Sequence, residues 1–180
     1  SVDSQPIKML RYTAKKYSVA VSFGYYELCG EAIYSSYMFI GKNGEIVNNF
    51  RRVSKGWKEY DITDEHYKEG DGFKTFTYMG KRIALAVCGD LWYEENIEQI
   101  NKEKFDFLLY PVYVTYNTEM WRTKLVNEYA EQAKKIPRPV FLVNSICDAD
   151  NTRGGCYAFL NGKTVCEVPM GQDGYLLVRV

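Results

Sequence analysis

Apolar positions along this chain follow two different periods, which predict a mixture of helices and strands. Ile7, Leu10 and Ala14 recur at helical spacing near the N-terminus. Apolar residues at this spacing, together with capping and breaking residues, predict helices at 4–16, 94–104 and 118–135. Short apolar or alternating runs predict strands at 17–23, 32–40, 46–53, 73–78, 82–87, 105–110, 140–144, 156–160, 164–168 and 175–180.

Glycine, proline and asparagine mark the expected ends of several segments. Gly24 is expected to close the first strand, and Pro111 is expected to end the strand at 105–110, because proline has no N–H for the ladder. Asn43-Gly44 predicts a tight turn between two strands, since both residues accept the positive φ of a type I′ turn. Polar residues without a clear period predict loops at 54–72 and 147–155.

Hairpins and strand–helix–strand crossovers both occur in this predicted order. Such a mixture favours an α/β or α+β fold in which helices cover a sheet. The length of 180 residues suits one domain, and no internal repeat, low-complexity stretch or linker divides the sequence. A single domain over residues 1–180 is therefore expected.

Charge and cysteine content narrow the classes of partner. Lys plus Arg and Asp plus Glu both number 23, so the net charge of zero gives no reason to expect nucleic acid or an anionic membrane. No apolar run approaches the roughly 18 residues of a membrane-spanning helix. The five cysteines form no C-x-x-C pair and His66 is the only histidine, so neither a disulfide framework nor a metal site is expected. A reducing, cytoplasmic location is the corresponding expectation.

Cys88 is the residue at which chemistry is expected. The run 83–87 is apolar without alternation, as in a strand buried on both faces, and it ends at Cys88-Gly89 before a predicted helix. A cysteine on such a strand-to-helix turn has backbone N–H groups beside it that stabilise a thiolate or an oxyanion. The alternative is a small buried core residue, which free cysteine often is. Position alone leaves both interpretations open.

A thiol nucleophile needs a base or a nearby cation. His66 lies in a charged loop, which makes it a poor candidate for the base. The cationic stretch 51–58 includes Arg52 and Lys55, and a cation there would stabilise a thiolate or hold an oxyanion. Glu59 follows directly and would serve as a general base. The alternative is that these charges form a solvated face.

The order of several motifs resembles that of the nitrilase, or carbon–nitrogen hydrolase, superfamily. The segment 87–92, Val-Cys-Gly-Asp-Leu-Trp, resembles the family's cysteine motif, in which a small or aromatic residue and then an aspartate follow the nucleophile. Three later segments resemble the family's next strand with its proline, its asparagine-ended strand and its terminal hairpin: 107–111, 143–144 and 161–163. The resemblance extends over nearly the whole chain.

This resemblance implies a four-layer αββα sandwich, incomplete at its N-terminus, without a cofactor. It implies hydrolysis of an amide, carbamoyl or nitrile carbon–nitrogen bond through a thioester, with release of ammonia or amine. Cys88 would be the nucleophile, Arg52 or Lys55 the cation at the oxyanion, and Glu59 a positioning or proton-transfer group. A homo-oligomer that acts on a small-molecule amide or nitrile is expected.

Three further residues are expected near the substrate through the same resemblance: Asp90, Trp92 and Tyr113. Each also has a structural alternative. Asp90 would serve as a helix cap, and the two aromatic residues would pack in the core.

Two departures separate the chain from the family pattern. The family's lysine falls at Arg52, and Lys55 and Lys58 are alternatives for that role. The family's catalytic glutamate lies upstream of the region that resembles residues 4–23, and Glu27 does not match its position. The chain taken alone is therefore expected to be inactive. A catalytically silent module that binds a small ligand or a partner protein is the alternative function.

Overall fold

The structure, a computed structural model, describes residues 3–55, 57, 64–148 and 151–180. Its helices are α1 (Gln5–Tyr17), α2 (Glu94–Lys102), α3 (Thr118–Met120) and α4 (Val126–Lys134), with a π-helical turn (Trp121–Leu125) between the last two. Its strands are β1 (Val21–Cys29), β2 (Ala32–Ile40), β3 (Ile46–Arg51), β4 (Tyr67–Lys68), β5 (Phe76–Tyr78), β6 (Lys81–Leu85), β7 (Phe107–Val112), β8 (Val140–Asn144), β9 (Ile146–Cys147), β10 (Thr152–Arg153), β11 (Cys156–Leu160) and β12 (Lys163–Val168).

Two main sheets form from these strands. In the first sheet, β1, β2 and β3 pair antiparallel in that order, and β4 adds to β2 in parallel. In the second sheet the order is β12-β11-β8-β7-β6-β5, and β6, β7 and β8 are parallel to one another. The carboxyl ends of these three parallel strands therefore meet at one edge, where α/β folds place ligands.

The packing of apolar side chains defines four layers. Helix α1 covers the outer face of the first sheet, where Ile7 and Ala14 contact Met38 and Ile40. The inner faces of the two sheets pack together through contacts such as those among Tyr37, Phe50 and Leu85 or among Phe39, Ile83 and Phe107. Helices α2 and α4 cover the outer face of the second sheet and contribute to the largest apolar cluster. The predicted four-layer αββα sandwich is confirmed.

The predicted strand at 17–23 is wrong in its position. Helix α1 runs past residue 16 to Tyr17, and the following Ser18 caps it: its left-handed backbone directs its N–H to carbonyl oxygens of the last helical turn. Strand β1 starts later and continues through Gly24, which pairs with Tyr37. A glycine weakens a strand locally, but the continuous hairpin with β2 supplies partners along the whole of β1.

Pro111 does not end β7, contrary to the prediction, because it occupies a position with a partner on one side only. The pairing of β6 with β7 stops at Leu85 and Leu109, whereas β7 and β8 stay paired through Pro111 and Val143. Proline, which has no backbone N–H, is tolerated at a strand position where one side forms no hydrogen bond to a neighbouring strand.

Other predicted segments are confirmed in part. The helix at 118–135 forms as α3, the π-helical turn and α4, and the loops at 54–72 and 147–155 contain the short strands β4 and β10. The strand predicted at 73–78 is limited to β5. The strand predicted at 175–180 is wrong, since these residues pair with no strand in the described part of the chain and Tyr175 and Leu177 are exposed.

Two global features bear on the site. All five cysteines lie among the described residues, and each is a free thiol. Among the helices of residues 3–55, 64–148 and 151–180, none combines the length and the apolar character needed to cross a membrane.

Candidate active site

Strand β6 leads Cys88 to the edge where the parallel strands end. Cys88 opens a short 3₁₀ helix, Cys88–Trp92, and has a φ of 48°. Positive φ is uncommon for a residue with a side chain and requires support from its surroundings. Part of that support is the hydroxyl of Tyr110, which donates to the carbonyl oxygen of Cys88 at 2.6 Å. Burial raises the pKa of Tyr110 well above its ordinary value, so this hydroxyl keeps its proton.

Asp90 ties the Cys88 turn, residues 87–90, to the segment that follows β3. The Asp90 side chain is fully buried; Oδ2 accepts the N–H of Val87 at 2.8 Å, and Oδ1 accepts those of Ser54 at 2.7 Å and Val53 at 3.1 Å. Burial raises the pKa of Asp90, whereas the backbone hydrogen bonds from Val87 and Ser54 act in the opposite direction. Two chain segments thus share one carboxylate, which fixes their relative position.

Arg52 is the cation that the fold brings beside this turn. Only 8% of Arg52 is exposed, and its Nε donates to Ser54 Oγ at 2.7 Å. The guanidinium lies against Gly89: a Cβ added at Gly89 would overlap it and would also lie 3.0 Å from Ser54 Oγ. Glycine at position 89 is therefore required for Arg52 to keep its place. A buried guanidinium beside a thiol supplies positive charge where negative charge would form.

A cavity of about 880 Å³ opens beside Cys88. Its wall is built from both sheets: from β1 and β2 on one side, and from the Cys88 turn and the ends of β7 and β8 on the other. Cys88, Arg52 and Tyr113 line it together, as does Trp57. The volume is within the range of small-molecule sites, which reach roughly 1,000 Å³.

A sequence model that describes carbon-nitrogen hydrolases matches residues 1–180. The chain belongs to the carbon-nitrogen hydrolase family.

Two curated relatives are similar in sequence to part of this carbon-nitrogen hydrolase. A citrullinase from Francisella tularensis subsp. tularensis is 26% identical over 117 residues, which are 62% of this chain and 40% of the relative. A bromoxynil-specific nitrilase from Klebsiella pneumoniae subsp. ozaenae is 29% identical over 102 residues, which are 57% of this chain and 27% of the relative. The match therefore spans less than half the length of either protein.

Solved structures share the fold. A carbon-nitrogen hydrolase from Helicobacter pylori G27 matches 94% of this chain with a TM-score of 0.75 at 16% identity, over 64% of its own length. An amidase from Nesterenkonia sp. AN1, solved after Michael addition of acrylamide at its active-site cysteine, matches 91% of this chain with a TM-score of 0.72 at 14% identity, over 64% of its own length. The likeness establishes the nitrilase fold.

Three other predicted site residues of this carbon-nitrogen hydrolase lie away from the cavity. Lys55 is exposed and does not line the cavity. Trp92, which is 42% exposed, packs edge-to-face on Tyr129 with ring centroids 5.1 Å apart, outside the cavity wall. Asp90 also does not line the cavity. Its buried carboxylate accepts three backbone N–H groups instead. Two predicted residues lie outside the described residues: Glu59 and Lys58.

An ion pair between the buried Glu27 and the half-buried Arg51 fixes the strand that leads to Arg52. Arg51 donates to the two carboxylate oxygens of Glu27 at 2.7 and 3.0 Å, and Ser36 and Asn49 donate to the same carboxylate. Burial opposes the charge of Glu27, but these hydrogen bonds outweigh it, so the pKa of Glu27 is lowered.

Sequence reasoning missed this ion pair, although the sequence contains a signal for part of it. Neighbouring side chains in a strand point to opposite faces. Arg51 is the last residue of β3 and Arg52 follows it directly, so their side chains are expected to point to different faces and to have different environments. One binds Glu27, and the other lines the cavity.

Proposed function

We propose that this protein hydrolyses a non-peptide carbon–nitrogen bond in a small-molecule amide, carbamoyl compound or nitrile, with Cys88 as the nucleophile. The observation that carries the proposal is that Cys88 and Arg52 line the same cavity, and that Asp90 and Tyr110 hold the turn that contains Cys88. Membership of the carbon-nitrogen hydrolase family supports this reaction class.

With an amide substrate, the reaction divides into two steps at Cys88. The thiolate attacks the carbonyl carbon, and the π electrons of the C=O bond move to oxygen. When the oxyanion collapses, a C–S bond remains, the C–N bond breaks, and the leaving ammonia or amine takes a proton. Water then attacks the thioester, which releases a carboxylic acid and returns the Cys88 thiol.

Arg52 supplies positive charge in this scheme and does not transfer a proton. A guanidinium stays protonated in proteins, so it stabilises a thiolate or an oxyanion without changing its own charge. Lys55 is exposed and outside the cavity wall, which favours Arg52 for this role. Tyr113 lines the same cavity and is proposed to contact the substrate.

Proton transfer is proposed for Glu59, on the basis of the sequence alone. Glu27 is a poor alternative because its carboxylate is occupied by Arg51, Ser36 and Asn49. A carboxylate with a lowered pKa is also a weak base.

The second candidate function is a catalytically silent module that binds a small ligand through the same cavity. The observation that favours it is Arg52, which stands where the family pattern has lysine. A guanidinium binds anions and planar groups well but lacks the proton-exchange chemistry of an amine.

Ammonia release from simple amides and nitriles tests the proposal. The full-length protein should release ammonia from at least one of them, and Cys88→Ala should abolish the release; residues 1–180 alone are expected to be inactive, because the family's catalytic glutamate has no match in them. Cys29→Ala is the matched control, because Cys29 is an exposed thiol outside the cavity. Intact-mass spectrometry should detect an acyl group on Cys88 during turnover. Ammonia release that survives Cys88→Ala would contradict the proposal, and ligand binding without release, unaffected by Cys88→Ala, would favour the silent module.

A further inference from the structure

The charges around the cavity are few. Among the described residues that line it, Arg52 is the only one with a formally charged side chain. Its guanidinium lies against Gly89 at the reacting end of the cavity.

Polar groups in the wall are mostly engaged with the protein itself. Ser22 Oγ and Tyr37 OH share a hydrogen bond of 2.9 Å, and the Ser36 hydroxyl donates to Glu27. The Asn144 side chain bonds three backbone groups, at Val114 and Gly154. These side chains are held in place by the protein, whereas the buried Nε1 of Trp57 has no hydrogen-bond partner among the described residues.

Six aromatic side chains line the cavity among the described residues, including Tyr26, Trp57 and Tyr113. Tyr26 packs on Trp57 with ring centroids 6.2 Å apart, and Trp57 in turn packs on Tyr67 at 5.7 Å. Tyr26 is 75% exposed, although its ring belongs to the cavity wall. Tyr113 contributes a further ring to the wall, from the end of β7 in the facing sheet, and is also exposed. Rings from two facing sheets present flat apolar surfaces that suit a planar aromatic group.

We infer that the cavity takes a molecule whose non-reacting end carries an aromatic ring, of the arylacetamide or aromatic nitrile class. The ring packs against Tyr26, Trp57 and Tyr113, and the amide or nitrile points toward Cys88. The inference rests on the proposed function for the position of the reacting group. Binding of the ring itself does not require Cys88 to react.

Calorimetric titration of the full chain with three primary amides tests the inference. Phenylacetamide carries a planar ring, cyclohexylacetamide has a saturated ring of similar size, and L-glutamine carries two charges. Phenylacetamide should bind roughly 5- to 10-fold more tightly than cyclohexylacetamide, and glutamine should bind weakest of the three.

Ring-removing variants identify the contact. Trp57→Leu should weaken phenylacetamide binding by roughly fivefold or more, and Tyr26→Leu serves as a second variant if the first fails to fold. Tyr12→Leu, which removes an exposed ring on α1 outside the cavity, should leave the affinity unchanged. Glutamine binding as tightly as phenylacetamide, or affinities unchanged in both Trp57→Leu and Tyr26→Leu, would overturn the inference.

Labelling of Cys88 by iodoacetamide separates this inference from the proposed function. An unreactive Cys88 combined with ring-selective binding would refute the nucleophile and leave the ring inference standing. A reactive Cys88 combined with a preference for glutamine would do the reverse.

Discussion

Asp90 accepts the backbone N–H of Ser54 at 2.7 Å across 36 residues of sequence. This contact joins the turn that carries Cys88 to the segment that carries Arg52. The relative position of thiol and guanidinium therefore depends on a carboxylate that lies outside the cavity wall.

The first prediction concerns Asp90→Asn. An amide has one acceptor oxygen and a donor NH₂ group, so at least one of the three backbone N–H groups loses its partner. The free energy of unfolding at neutral pH should fall by about 2–3 kcal/mol, measured by urea denaturation. Asp106→Asn is the control, because the exposed Asp106 also accepts a backbone N–H, that of Arg82 at 2.7 Å, and it should lose less than about 1 kcal/mol. Equal losses in both variants would contradict the role given to Asp90.

The second prediction concerns Gly89→Ala. The added methyl group would overlap the Arg52 guanidinium, which is the end of a flexible side chain and moves at little cost. The free energy of unfolding should change by less than about 1 kcal/mol, whereas alkylation of Cys88 should slow severalfold as the cation is displaced. For comparison, Gly24→Ala places a methyl group at ordinary contact distances of 3.9 Å and should be equally mild in stability. A Gly89→Ala variant with wild-type Cys88 reactivity would show that the position of Arg52 does not matter.

The third prediction compares two replacements of Arg52. Lysine keeps the positive charge, so Arg52→Lys should retain Cys88 alkylation within a few-fold of wild type. Methionine keeps the length without charge, and Arg52→Met should slow alkylation by roughly tenfold. Arg138→Met provides the control, since Arg138 also donates through Nε, to the carbonyl oxygen of Phe105, at a site remote from the cavity. Identical rates for the lysine and methionine variants would argue against a charge effect.

The fourth prediction is a pH dependence at Glu27. Its pKa in the folded chain is below the ordinary value of 4.5, so its stabilising contribution is complete above that value and is lost as the pH falls through the lowered pKa. Glu27→Gln should reduce the free energy of unfolding by about 2 kcal/mol at neutral pH, and the difference from wild type should shrink in acid.

Glu119→Gln is the matched control for that experiment. Both glutamates lie 2.7 Å from an arginine, but Glu119 and Arg122 are exposed, whereas Glu27 is buried. An exposed pair contributes about 0.5 kcal/mol or less, so this variant should resemble wild type at every pH. A Glu27→Gln variant whose difference from wild type stays constant from neutral to acidic pH would disprove the linkage.

Local patterns in the sequence were sufficient to predict the position of Cys88. The apolar run before it and the glycine after it are features of neighbouring residues, and both appear in the structure as β6 and the Cys88 turn. The cationic stretch after β3 was also singled out, but the sequence left Arg52 and Lys55 open as the cation, and of the two only Arg52 lines the cavity. The four layers followed from the resemblance in motif order rather than from periodicity.

The partners of these residues were beyond sequence reasoning. Ser54 and Asp90, or Tyr110 and Cys88, meet only because distant segments are packed together, and no local pattern specifies such pairs. The same limit explains why Asp90 and Trp92 were expected near the substrate, although neither residue lines the cavity. Strand ends were misplaced at Gly24 and Pro111, where pairing with neighbouring strands outweighs local preference.

Competitive alkylation of the native chain by iodoacetamide tests the central claim most directly. Cys29 is exposed and Cys88 is only partly accessible, so exposure alone predicts that Cys29 reacts first. If Cys88 is the nucleophile beside Arg52, mass spectrometry of peptides sampled at early times should find Cys88 modified before Cys29. Modification of Cys29 with Cys88 left intact would contradict the account.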